Sequence, residues 1–169
     1  MREWLLLLII PLLLVLKSLI TQSGFFVPLP MGTVRKILKL ANIRKNDVLY
    51  DLGCGDGRII ISAAKEYGIK SVGIEKNGFL AWICRRKVKK NNLENKVKVI
   101  QDDIFNQDLS RATIVVMYLT QKLNDKLKPK LEKELKKGTR VISASHILKG
   151  WKEVKKIKTG HFYTYLYKI

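Results

Sequence analysis

Histidine and cysteine are scarce: two of each in 169 residues. Cys54 and Cys84 stand in no Cys-x-x-Cys spacing, so neither a zinc site nor a disulfide framework is legible, and a reducing compartment suits the chain. Acidic residues are also few. Fourteen Asp and Glu face 33 Lys and Arg, a formal charge of +19, which attracts nucleic acid and anionic lipid alike without choosing between them. Two phosphate-binding signatures are missing. The stretch Val48-Leu-Tyr-Asp-Leu-Gly-Cys-Gly-Asp-Gly57 reads Gly-x-Gly-x-Gly, but the last glycine of a dinucleotide fingerprint would fall at position 58, which is Arg58. That argues against NAD and FAD. No Gly-Lys-Ser/Thr follows, which excludes a P-loop.

What is present is an apolar run ending in an acid, Asp51, before a loop whose glycines Gly53, Gly55 and Gly57 let a ligand approach bare backbone. A second acid, Glu75, ends the next apolar run, Ser-Val-Gly-Ile-Glu75. Two carboxylates beside a glycine loop suit a ligand with a ribose diol and positive charge better than one with phosphates. S-adenosyl-L-methionine has that chemistry: an ammonium, a sulfonium, a ribose, and one carboxylate suited to the helix N-terminus opening near Arg58. The competing reading makes Asp51 a strand-end cap and Glu75 a surface charge in another α/β protein.

The stretch Asp51-Leu-Gly-Cys-Gly-Asp-Gly-Arg-Ile-Ile60, followed by Val-Gly-Ile-Glu75, resembles motif I and the next acid of class I, seven-strand S-adenosylmethionine-dependent methyltransferases. A narrower likeness rests on Val27-Pro-Leu-Pro30, on Ala112-Thr-Ile-Val-Val-Met-Tyr-Leu119, and on Leu127-Lys-Pro-Lys-Leu131 with Gly138-Thr-Arg-Val-Ile142. These are similar to the archaeal broad-specificity protein lysine methyltransferases and their mitochondrial relatives that methylate inner-membrane proteins such as the ATP synthase c-subunit. The resemblance covers about residues 25 to 169. It implies an α/β fold: a Rossmann-like doubly wound sheet of the class I methyltransferase type with a C-terminal antiparallel hairpin, preceded here by an N-terminal hydrophobic helix. It implies cofactor contacts from Asp51, Gly53, Cys54, Gly55, Asp56, Gly57 and Glu75. Asp103, with Asp102 as the alternative, would accept from the adenine amine, although either could instead cap the short helix that follows. The Val-Pro-x-Pro segment would lie over the cofactor, with Leu29 where a threonine is often found.

The resemblance also implies a protein substrate with an accessible lysine. A lysine acceptor must first lose its proton, at about 4.6 kcal/mol from a reference pKa near 10.4. Burial and a neighbouring sulfonium favour the neutral amine, so an apolar channel can serve without a dedicated base. Tyr118, at the end of the fourth predicted strand, is the candidate catalytic residue, as channel wall and hydrogen-bond partner, against simple packing. No Asn/Asp-Pro-Pro-aromatic signature and no cysteine pattern for carbon methylation appear, which disfavours nucleic acid as the substrate. RNA methylation nevertheless remains the alternative that the charge favours.

Residues 4 to 16 carry no charge, and apolar character resumes at Leu19-Ile20. A helix from Trp4 to Ile20 would reach about 25 Å, a short membrane span. Three readings compete: an anchor or interfacial segment, a core helix, and a signal peptide, the last lacking an Ala-x-Ala-like site. The division is therefore an N-terminal anchor and linker over 1–24 and a methyltransferase domain over 25–169, membrane-associated, monomeric and facing the cytoplasm. Lys17, Arg35, Lys36 and Lys39 on the C-terminal flank agree with that orientation.

Periodicity predicts a helix from about Gly32 to Ala41, then alternating strands and helices. Strands are expected at Lys70–Glu75, Val97–Gln101, Thr113–Leu119 and Arg140–Ala144, with helices after motif I and over Asn77–Lys90. Leu123, Leu127, Leu131 and Leu135 form a core stripe in which Pro129 is expected to start a second helical segment. Val154–Lys158 and His161–Lys168 read as a hairpin around Thr159-Gly160, with Tyr163, Tyr165 and Tyr167 on one face for packing rather than base stacking. The basic runs Arg85–Lys90 and Lys149–Lys158 are either solvated faces or an attraction to anionic lipid.

Overall fold

The computed structural model describes residues 26–169. The elements run α1 (Met31–Leu40), β1 (Val48–Leu52), α2 (Arg58–Tyr67), β2 (Lys70–Glu75), α3 (Gly78–Lys90), β3 (Val97–Gln101), a single 3-10 turn (Ile104–Asn106), β4 (Ile114–Met117), α4 (Gln121–Glu134), β5 (Arg140–Ala144), β6 (Lys155–Thr159) and β7 (Phe162–Lys168). The predicted hydrophobic helix over residues 4–20 and the boundary at 24 lie outside the described residues. Among the described residues no helix is long and apolar enough to cross a membrane.

Two of the α-helices start where a side chain offers their first amides a partner. Asn77 accepts from the amides of Phe79 and Leu80 ahead of α3, and Thr120 accepts from Leu123 ahead of α4. Gly57 and Gly68 bracket α2 in the left-handed conformation. In α1 the apolar residues Val34, Ile37, Leu38 and Ala41 recur at helical spacing, and all four are buried.

The seven strands order as β3-β2-β1-β4-β5-β7-β6. Neighbours among β1 to β5 are parallel, whereas β7 runs antiparallel to β5 and β6 antiparallel to β7. The reversed final strand implied by the resemblance is present. Strand alternation splits the apolar residues between two cores. Leu49, Ile114, Val116, Ile142 and Ala144 face α1, α2 and α3. Tyr50, Leu52, Val115, Met117 and Val141 face α4 through Leu127 and Leu131. Each such aliphatic side chain contributes roughly 1.5–3 kcal/mol by leaving water. A sheet covered on both faces reads as continuous apolar runs, as in Ile114–Met117, where all four residues are buried.

At the amino ends of the strands, Asp47 ties three elements together. Its carboxylate accepts from Arg140, from the Thr113 hydroxyl at 2.7 Å and from the Arg44 amide at 2.6 Å. Burial opposes its charge, but the bonds from Arg140, Arg44 and Thr113 and the guanidinium's own charge hold the carboxyl below its ordinary value.

Two details differ from the sequence reading. Pro129 starts no second segment, for α4 is continuous from Gln121 to Glu134. Pro129 and Asp125, whose carbonyl loses the amide partner, are both exposed, so the proline lies on the solvent side of the helix, where its cost is smallest. The fourth strand ends at Met117, before Tyr118. Tyr118 and Leu119 therefore sit in the turn into α4.

The chain leaves β1 toward β2 and β3, then returns to the other side of β1 at β4. The crevice at the carboxyl ends of β1 and β4 is thus the switch point where ligands bind in open α/β sheets.

Candidate active site

A cleft of about 750 Å³ opens there, with Asp51, Gly53, Cys54, Asp56, Glu75 and Asp103 in its lining. The glycine loop is pinned to the neighbouring strand, since the amides of Gly53 and Cys54 both donate to the Ile74 carbonyl, at 2.9 and 3.1 Å. Glu75 fixes its far side. One carboxylate oxygen accepts from the Gly55 amide at 2.8 Å, the other from the Asn77 amide at 2.8 Å. Each oxygen keeps a lone pair for a hydroxyl.

Asp51 is only 3% exposed, and no donor among the described residues reaches its carboxylate. Burial, with the nearby carboxylates of Glu75 and Asp56 adding repulsion, raises its pKa to about 8. A cation placed against it would reverse both penalties. Gly55 and Gly57 require their residue type: both have positive φ, at 54° and 82°. A Cβ on Gly55 would strike the Phe26 ring, and one on Gly57 the Cys84 sulfur. Cys54 is buried against Gly73 beneath the loop, so it shapes the floor, and a hydrogen bond to Cys84 together with burial pushes its thiol pKa well up.

Asp56 is engaged elsewhere. Its carboxylate pairs with Arg58 at 3.0 Å and with Lys87 at 2.6 Å. Arg58 in turn donates to the Leu29 carbonyl at 2.8 Å, which latches the segment 26–30 along the cleft wall. Asp56 thus holds the strap of the site rather than offering a free charge to a ligand. Asp103 and Asp102 separate by their surroundings. Asp103 lines the cleft, pairs with Lys76 at 2.9 Å and caps the 3-10 turn through the Phe105 amide. Asp102 is outside the lining, accepting from the Asp103 amide, Asn106 and Gln107. Hydrogen bonds from these partners, Lys76 first for Asp103 and Asn106 first for Asp102, hold both carboxyls below their ordinary values.

On the far wall Tyr118 stacks on Phe162, ring centroids 5.4 Å apart and 19° from parallel. Leu119 reaches over Gly53, its Cδ2 lying 2.8 Å from where a Cβ would sit. Thr120, Lys122, Lys126, Ser145 and His146 complete that end of the cleft, Ser145 with a φ of 73°. These residues, and Lys76 and Phe105 opposite, were not singled out from sequence. Topology offered a signal: Lys76 follows the last residue of β2, and Ser145 and His146 follow the last residue of β5, at the carboxyl edge where this fold places its ligands.

The cradle fits S-adenosyl-L-methionine. Asp51 is a buried carboxyl without a donor that an incoming cation would ionise, Glu75 keeps lone pairs for hydroxyls, and Leu80, Ile104 and Phe105 give apolar walls beside Asp103 for a purine.

Residues 51–155 match the ANTKMT methyltransferase domain. A protein-lysine N-methyltransferase of Saccharolobus islandicus is 44% identical over 85% of this chain and 92% of its own length. The human lysine N-methyltransferase of the ATP synthase c-subunit is 32% identical over 75% of this chain, which spans 53% of that protein. The crystal structure of an RNA methyltransferase from Salinibacter ruber in complex with S-adenosyl-L-homocysteine superposes with a TM-score of 0.82, at 38% identity, covering 85% of this chain and 94% of that one. Motif, fold and these likenesses converge: the chain belongs to the ANTKMT methyltransferase family and is an S-adenosylmethionine-dependent methyltransferase.

Proposed function

We propose that the protein transfers methyl groups to lysine side chains of proteins at a membrane surface. The observation that carries this reading is the 44% identity, along nearly the whole of its length, to a protein-lysine N-methyltransferase. When bound, the cofactor supplies an electrophilic methyl group on a sulfonium. Asp51 would hold its ammonium, Glu75 its ribose hydroxyls and Asp103 its adenine amine, while the missing Cβ atoms of Gly53 and Gly55 let Leu119 and Phe26 close down on the loop. Tyr118, Leu119 and Leu123 wall the other end of the cleft and shed water from an incoming aliphatic chain. Lys122 and Lys126 line the same end. Their charge, with the apolar wall, lowers the pKa of an arriving lysine and offsets part of the roughly 4.6 kcal/mol needed to present it as a neutral amine at pH 7. No step then requires a carboxylate base. The apolar run at residues 4–20 would carry the membrane association, with the domain on the cytoplasmic side as a monomer.

A second reading, methylation of RNA, is favoured by the net charge of +19 and by the Salinibacter ruber structure. One assay separates the two. Purified protein is incubated with methyl-labelled cofactor and fractionated lysate, with protease or nuclease added afterwards. Label lost to protease and recovered as methyl-lysine supports the first reading, whereas label lost to nuclease overturns it.

A further inference from the structure

Helix α3 shows two unlike faces. Ala81, Cys84 and Val88 are buried on one, as helical periodicity requires of an element packed on a sheet. The opposite face carries Phe79, Trp82, Arg85, Arg86, Lys89 and Lys90, every one exposed. Phe79 is 62% exposed and Trp82 48% exposed, yet the two rings stack on each other at 5.9 Å and 19°. The Arg86 guanidinium sits 4.8 Å from the centre of the Trp82 ring. No acidic residue occurs anywhere in the helix. Two large aromatics at the head of a helix, with cations along the rest of the face, form an amphipathic surface that no other element among the described residues covers.

Its position matters. Leu80, next to Phe79, lines the cleft, as do Phe26 and Phe105, which are 43% and 40% exposed. The aromatic end of α3 therefore adjoins a cleft rim that is itself partly apolar. The described chain begins on that rim, at Phe26, directly after a sequence whose residues 4–16 are uncharged.

We infer that the outer face of α3 docks on an anionic lipid surface, Phe79 and Trp82 entering the headgroup boundary and Arg85, Arg86, Lys89 and Lys90 contacting lipid phosphates. Three features favour lipid over other polyanions. Trp82 has the apolar body and polar N–H tip favoured at a lipid interface, and Phe79 beside it adds apolar area. Single-stranded nucleic acid would need Trp82 free to stack with a base, but its ring is already engaged by Phe79 and Arg86. On the membrane reading proposed above, on which this inference rests, the uncharged run before Phe26 would bring the chain to the bilayer at the same rim. Docked this way, the cleft opens toward the bilayer, and lysines close to the membrane are the ones presented to it.

The test uses the full-length chain carrying Trp4→Phe and Trp151→Phe, so that Trp82 is the one tryptophan left to report. Its emission is followed with phosphatidylcholine vesicles, with vesicles also containing phosphatidylglycerol, and with a short RNA oligonucleotide. The expected result is a blue shift and quenching by brominated acyl chains on the anionic vesicles. Each cation near the surface strengthens partitioning by about fivefold. Reversing Arg85, Arg86 and Lys89 to glutamate should therefore weaken the Trp82 response by at least about 100-fold, while S-adenosylhomocysteine binding and the melting temperature hold. Trp82 emission indifferent to lipid overturns the proposal, even if the chain sediments with vesicles through residues 4–20. So does an equal or stronger response to RNA. So does an emission already blue-shifted and shielded from acrylamide without lipid, which would place the chain's own N-terminal segment on this face.

Discussion

Replacing Asp51 with asparagine tests the electrostatics of the cofactor site most directly. Burial first, then repulsion from Glu75 and Asp56, raises the Asp51 pKa to about 8. At pH 7 only about one molecule in eleven therefore carries the charge that attracts an ammonium. The affinity for S-adenosylhomocysteine, which keeps the ammonium and lacks the methyl group, is lowered by that fraction, about tenfold. From about pH 6 to about pH 7.5 the affinity of the wild type should rise close to tenfold per unit, and binding at pH 7 should release about 0.9 proton. Titration calorimetry in buffers of different ionisation enthalpy reads both quantities. In D51N the slope and the proton release should vanish, with weaker affinity throughout. A flat wild-type profile with buffer-independent heat would refute the reasoning, as would a slope that survives in D51N. The same group carries a cost in the unliganded fold. Between about pH 4 and pH 8 the folded chain holds a proton that the unfolded chain releases, so stability declines as pH rises, by up to about 1.4 kcal/mol per unit. D51N should flatten that decline in urea unfolding measured across the window.

Tyr118→Phe keeps the stack on Phe162 and loses only the hydroxyl, whereas Tyr118→Ala removes the wall. Turnover should fall severalfold in the first and up to about 100-fold in the second, with S-adenosylhomocysteine affinity unchanged, and normal turnover in both would remove Tyr118 from any role. Gly55→Ala strains a residue at φ 54° and displaces the Phe26 ring. It should cost about 1–2 kcal/mol in chemical denaturation and more than about tenfold in cofactor affinity. Asp47→Asn leaves the Arg140 guanidinium without its anion and should cost about 3 kcal/mol of stability. Because the Asp47 carboxyl is held below its ordinary value, its contribution is complete above about pH 4 and disappears as pH falls below it. The gap between D47N and wild type in acid unfolding should close accordingly.

The motif was legible because its signals are local. Positive φ at Gly55 and Gly57 demands glycine, an acid at a strand end stands out against an apolar run, and alternating periodicities announce a parallel sheet covered by helices. Tyr163, Tyr165 and Tyr167 were assigned to packing from strand alternation alone, and Tyr165 and Tyr167 do stack on each other, with Trp151 against Tyr167. The aromatic face of α3 was also present in the helical spacing of Phe79, Trp82 and Arg86. It went unread because exposure on a helix depends on which side the sheet covers.

The sequence by itself determined the cofactor chemistry and the order of elements, since glycine backbone freedom, strand-end acids and hydrophobic period act within a few residues. Only the tertiary structure decided that Asp56 is engaged by Lys87 and Arg58, that Asp103 rather than Asp102 lines the cleft, and that Phe26 lies over Gly55. Those outcomes depend on side chains meeting across loops and sheet layers. Several groups could satisfy the same carboxylate, and only the packed geometry selects among them.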